Sequence, residues 1–164
     1  MDQISRLLAA NTAYATARAV LVDPRPSRNL AVLTCMDVRI DPSAALGLGL
    51  GEAHVLRNAG GRVTTDVLRS LALATHALGV DEVVVMQHTR CGLSGVSDRE
   101  LRDRTGADVD FLAIDDHTAA LRHDVDLLAA TPYLTPVKVI AGFLYDVDTG
   151  RVGDLVRWER PERP

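Results

Sequence analysis

Cysteine is scarce in this 164-residue chain, occurring only as Cys35 and Cys91. So few rules out a disulfide-stapled scaffold, and a chain of this length buries roughly two-thirds of its surface without staples. Two lone cysteines in a cytosolic chain are instead buried small residues, metal ligands or nucleophiles. Lysine is scarcer still: Lys138 is the only one, which reads as base composition and carries no functional weight. No apolar run approaches the roughly 20 residues needed to span a bilayer. The opening Met1-Asp2-Gln3-Ile4-Ser5 lacks the basic and apolar regions of a secretory leader, so the expected location is cytoplasmic. Positive charge is not in excess: the net charge is −4, so neither nucleic acid nor an anionic membrane is an expected partner. Repeats and interdomain linkers are absent as well. What remains, 47% hydrophobic and 24% charged residues, is the composition of one globular domain spanning residues 1–164.

The hydrophobic pattern alternates between strands and helices. Residues 3–22 form an expected helix with Leu7, Leu8, Tyr14 and Val20 as its apolar points, broken by Asp23-Pro24-Arg25-Pro26-Ser27. The short apolar run 30–35 reads as a buried parallel strand, 54–57 and 82–87 as a second and third strand, and 136–145 as a fourth strand region. A short helix is expected to start at Asp41-Pro42-Ser43. Longer ones occupy 65–78 and 117–130, the first with Leu68, Leu71, Ala72, Thr75 and Leu78 on one face and Gly79 at its end. The polar stretch 97–116 holds a short helix or loop. Residues 151–158 return as an antiparallel edge, and the tail 159–164 is expected in solvent. This order predicts an α/β fold around a parallel sheet. In such sheets chemistry gathers beyond the C-terminal strand ends. Three strand ends there carry unusual residues: Cys35, Asn58, and His88 with Cys91.

His88-Thr89-Arg90-Cys91 is an H-x-x-C pair, and Cys35 completes a Cys2His set from another strand end. Three protein ligands with an open fourth position are the pattern of catalytic zinc. By spacing alone these residues serve equally well as ordinary core side chains, since a single H-x-x-C is common by chance. Asp37 and Arg39 follow Cys35 at alternating positions, close enough to pair. Such a pair is by default a plain salt bridge; beside a metal ligand, an arginine-held carboxylate can also orient a nucleophile. Asn58-Ala59-Gly60-Gly61 is a turn whose small residues let backbone approach a site closely. It lacks the fuller phosphate-loop patterns. A cysteine phosphatase loop would require arginine where Asp41 stands.

Taken jointly, these segments resemble the β-class carbonic anhydrases. The likeness rests on Cys35-x-Asp37-x-Arg39, the run from Glu52 through Gly60, Arg69-Ser70-Leu71, and His88-Thr89-x-Cys91-Gly92. It extends from about Leu30 to Val96 and returns at Gly142-Phe143-Leu144-Tyr145-Asp146-Val147-x-Thr149-Gly150. The short length resembles the compact microbial branch of that family.

The resemblance implies a four-stranded parallel core with an added antiparallel edge strand, flanked by helices. It also implies a homodimer or homotetramer in which the N-terminal helical arm, residues 1–28, wraps a partner. Cys35, His88 and Cys91 match the ligands of one Zn²⁺ per chain. Asp37 and Arg39 match a catalytic dyad, with Asp37 a conditional fourth ligand in some members. Met36, Ala59, Gly60 and Leu73 fall where the family lines its substrate pocket. The implied reaction is reversible hydration of carbon dioxide to bicarbonate and a proton. The alternatives are hydrolysis of carbonyl sulfide or carbon disulfide on the same scaffold, and a catalytically silent zinc-binding protein. Arg90 and Leu93 depart from the Asp and Met common at those positions. His54 is a candidate for proton transfer, as imidazole titrates near neutrality; His76 reads as half-buried packing or surface, and His117 and His123 as solvated helix residues rather than proton shuttles.

Overall fold

The computed structural model describes residues 2–18 and 23–161. Its elements run α1 (Gln3–Ala17), β1 (Leu30–Cys35), α2 (Pro42–Leu46), β2 (Ala53–Asn58), α3 (Thr65–Ala77), β3 (Glu82–His88), α4 (Asp98–Thr105), α5 (His117–Ala130), β4 (Val139–Tyr145) and β5 (Val152–Glu159). The strands form one sheet in the order β2-β1-β3-β4-β5. The first four are parallel and β5 is antiparallel to β4. The expected α/β architecture with an antiparallel edge is therefore present.

Burial explains why the central strands are continuous apolar runs. Every residue of β1 after Leu30 is buried, as expected for a central strand of a covered parallel sheet. The larger core packs Leu33, Val83 and Val85 against Leu71 of α3 and Leu121, Val125 and Leu128 of α5. Leu71 is fully buried, so Leu71→Ala would cost about 2–5 kcal/mol. A second cluster, around Cys35, Met86, Cys91, Leu93 and Ile114, sits at the C-terminal strand ends.

Helix starts follow local chemistry. Thr64 caps α3 through the Val67 N–H, Ser97 and Glu100 make a reciprocal capping box on α4, and Asp116 accepts from Ala119 N–H at 2.6 Å on α5. Two expectations shift. The first helix ends at Ala17, and residues 19–22 lie outside the described residues. The tail is tied down at its start: Glu159 belongs to β5, while Arg160 donates to the carbonyls of Val137 and Leu134 and stacks over Trp158. No described helix is long and apolar enough to cross a membrane.

Candidate metal centre at the strand ends

Parallel pairing explains how residues distant in sequence meet. Cys35 ends β1 opposite Asn58, the last residue of β2, and His88 ends the neighbouring β3. Cys91 follows one tight turn later. The thiol sulfurs of Cys35 and Cys91 lie 4.0 Å apart, and all three candidate ligand atoms are within 4.8 Å of one another. All three residues are buried.

His88 is fully buried, and its ring is oriented for coordination. Its Nδ1 lies 2.9 Å from the Thr89 carbonyl, which only accepts, so Nδ1 carries the hydrogen. Nε2 is left with a lone pair, buried and without a hydrogen-bond partner. An orphaned buried nitrogen is costly unless something occupies the space before it. Facing two thiols, it meets the requirements of a soft or borderline cation. The proton shared with Cys91 pulls the Cys35 thiol well below its ordinary range, against burial. The same bond and burial push Cys91 up. A cation would displace that shared proton and hold both sulfurs as thiolates.

Asp37 stands at the rim of this cluster. Its Oδ1 accepts from the Arg39 backbone N–H and Nε, both at 2.9 Å, and Oδ2 accepts from an Arg39 terminal nitrogen at 2.7 Å. These bonds hold the carboxyl far below the usual carboxylate range. Oδ2 also lies 3.7 Å from His88 Nε2. Arg39 donates further to the Arg90 carbonyl at 3.0 Å, joining the dyad to the ligand turn. Arg90 holds a left-handed backbone, φ 53°, and its side chain pairs with Asp148 of the β4–β5 turn.

A cavity of about 480 Å³ opens beside the sulfurs, lined by Cys35, Met36, Asp37, Ala59, Gly60, Cys91 and Leu93 among others. Its glycine wall is obligatory. A Cβ on Gly60 would lie 2.8 Å from Leu93 Cδ1, and one on Gly61 would lie 3.0 Å from backbone of β1 and β3. Both have positive φ.

The structure thus brings together Cys35, His88, Cys91, Asp37, Arg39, Met36, Ala59 and Gly60, but not Leu73. Helix α3 turns Val67, Leu71, Ala74 and Thr75 inward, so Leu73 points outward and is 61% exposed. It lines a separate groove with His54 and Val55. His54 therefore lies away from the metal cavity. His117 is not a simple solvated residue: it is half-buried, and its Nδ1 lies 3.0 Å from Gln87 Oε1. Burial chiefly lowers its pKa, and the Arg62 charge adds to this against the pull of Asp116.

Sequence reading missed the pair Arg62 and Asp124, which meet at 2.7 Å with side chains 6% and 0% exposed. One clue was present: Asp124 falls on the same helical stripe as Leu121, Val125 and Leu128, where a carboxylate must find a partner.

A parallel sheet with a Cys-His-Cys cluster at its strand ends defines a class of metal-site α/β proteins, and comparison narrows it. A family model for carbonic anhydrase matches residues 30–126. Beta-carbonic anhydrase 1 of Mycobacterium tuberculosis is 35% identical over 154 residues, covering 90% of this chain and 94% of that one. The crystal structure of a carbonic anhydrase from Streptococcus mutans superposes with a TM-score of 0.85 at 38% identity, over 95% of this chain and 99% of that one. A carbon disulfide hydrolase of Acidithiobacillus thiooxidans is 33% identical over 153 residues, 77% of this chain and 76% of that protein. The chain belongs to the β-carbonic anhydrase family.

Proposed function

We propose that this protein catalyses the reversible hydration of carbon dioxide to bicarbonate and a proton, with one zinc ion held by Cys35, His88 and Cys91. The observation that carries this is the orphaned Nε2 of His88, buried beside two thiols and 3.7 Å from an arginine-held carboxylate. Zinc in such a site supplies Lewis acidity, generating a hydroxide nucleophile from water near neutral pH.

The protein's own groups do the rest. Asp37, kept ionised by Arg39, can only accept, so an O–H facing Oδ2 must donate to it. That fixes the oxygen's remaining lone pair toward the cavity. Met36, Ala59 and Gly60 offer carbon dioxide an apolar surface next to the sulfurs. The product is an anion, poorly solvated by that surface, which favours its release. Asp37 as a fourth ligand would have to give up its bonds to Arg39, so we assign the paired arrangement to the working site.

Carbonyl sulfide and carbon disulfide also present a linear electrophilic carbon, and the Acidithiobacillus relative gives that second reading its support. Stopped-flow assays of zinc-loaded protein on carbon dioxide, beside hydrolysis assays on both sulfur compounds, decide between them. Preferential turnover of a sulfur compound would replace the first reading.

We further assign a homodimer or a multiple of one, acting in the cytoplasm, where two free thiols remain reduced. No residue of α1 is buried, and Ile4, Leu7 and Leu8 are each about two-thirds exposed. A 15-residue helix is marginal without a packing surface. A second copy supplies one, the arm of residues 1–28 lying across it. Leu73 on its exposed groove is then free to approach the partner's cavity. Light scattering at micromolar concentration is expected to give twice the chain mass or more; a monomer would contradict the assignment.

A further inference from the structure

We propose that Asp124 is a positioning residue, one buried carboxylate that locks the glycine wall of the cavity and the His88 strand to the same helix. On the wall side, Arg62 directly follows Gly60 and Gly61. Asn58 brackets this turn, donating to the Arg62 carbonyl at 2.7 Å and accepting from the Arg62 N–H at 3.0 Å. The Arg62 guanidinium then crosses to α5. Nε reaches Asp124 Oδ2 at 2.7 Å, NH2 reaches Oδ1 at 3.2 Å, and NH1 donates to the Leu112 carbonyl at 2.6 Å.

On the strand side, Gln87 is fully buried and immediately precedes His88. Its Nε2 is 3.5 Å from the same Asp124 Oδ2. Its Oε1 accepts from His117 Nδ1, so both ends of the amide are specified and the amide cannot flip without losing both partners. Helix α5 thus grips the wall through Arg62 and the ligand strand through Gln87, at one oxygen atom.

The geometry has a mechanical consequence. Gly61 rests on the ends of β1 and β3, and Gly60 rests on Leu93 near Cys91. A shift of Arg62 would carry the cavity wall with it, and a shift of Gln87 would turn the strand end that aims His88. Small misplacement of reacting groups is expensive in rate even when the fold survives. A buried ion pair is weak ground for stability, since apolar replacement of both partners is often neutral. That leaves geometry as what this pair supplies.

The kinetic part of this inference rests on the carbonic anhydrase reading; the spectroscopic part does not. The probe is the double variant Arg62→Met with Asp124→Leu, which removes both charges together, tested as the full chain. Gln87→Met is the second probe, leaving the ion pair whole should the double variant fail to fold. Five quantities are read: melting temperature, metal per chain, the visible spectrum of the Co²⁺-substituted protein, and kcat and KM for carbon dioxide hydration.

The proposal expects near-native melting and one metal per chain in at least one probe. It also expects a shifted Co²⁺ spectrum and kcat lowered about tenfold or more, with KM little changed. Native spectrum and native kcat in a folded probe would overturn it, making the network mere packing. Absent hydration in the unaltered protein would defeat the functional reading instead, while the Co²⁺ spectra would still test the positioning.

Discussion

The protein contains two Asp–Arg pairs with the same chemistry and opposite settings. Asp37 and Arg39 sit at the cavity mouth, with side chains 15% and 44% exposed. Asp124 and Arg62 sit in the interior, 0% and 6% exposed. In the outer pair the residues are two apart in sequence, and Oδ2 still faces His88. In the inner pair they are 62 apart, and each carboxylate oxygen is engaged within the protein. The lesson is that burial and unspent hydrogen-bonding capacity separate a group suited to chemistry from one suited to holding shape.

The largest effect should come from breaking the inner pair on one side. Asp124→Asn leaves a buried guanidinium without its counter-charge and should cost about 3–5 kcal/mol of stability, read by denaturant unfolding. Loss below about 1 kcal/mol would mean that water reaches Arg62.

The outer pair should show the reverse pattern. Asp37→Asn keeps the side chain's shape and, at the partly exposed rim, should cost less stability than Asp124→Asn. Hydration should fall about 100-fold or more if the carboxylate orients the attacking oxygen. A modest loss would reduce Asp37 to a prop for Arg39. Arg39→Lys is the finer probe. It keeps the charge but loses the forked contact that also reaches the Arg90 carbonyl. Its hydration rate should fall between that of the parent and Asp37→Asn, with zinc content unchanged.

The smallest effect concerns His117 at the edge of the inner network. Its folded pKa is lowered, mainly by burial. As pH falls below about 6.5 the unfolded chain takes up this proton first, so folding stability declines until the folded form also titrates. The stability is present above that pH and lost beneath it. Unfolding measured from pH 5 to 7.5 should show this slope, and His117→Gln should flatten it.

The two pairs were not equally legible in the sequence. Asp37 and Arg39 stand in one short motif beside Cys35, so proximity in sequence is proximity in space. The strand ends were legible for the same reason: β1 and α5 begin and end where hydrophobic period and punctuation place them. Arg62 and Asp124 meet only because α5 packs over the sheet, and no local pattern encodes that crossing. Leu73 shows the matching limit. Family position assigned it to the pocket, but helical phase turns it out of this chain's own cavity. The expectation for His117 failed because an unremarkable helix-start histidine gives no sign of the buried Gln87 beneath it.

The most direct measurement is a zinc titration of metal-free protein, followed by stopped-flow carbon dioxide hydration. The expected result is activity rising in proportion to bound zinc and levelling at one ion per chain, with Cys35→Ser failing to retain the metal. Protein carrying one zinc per chain yet hydrating carbon dioxide no faster than buffer would contradict it.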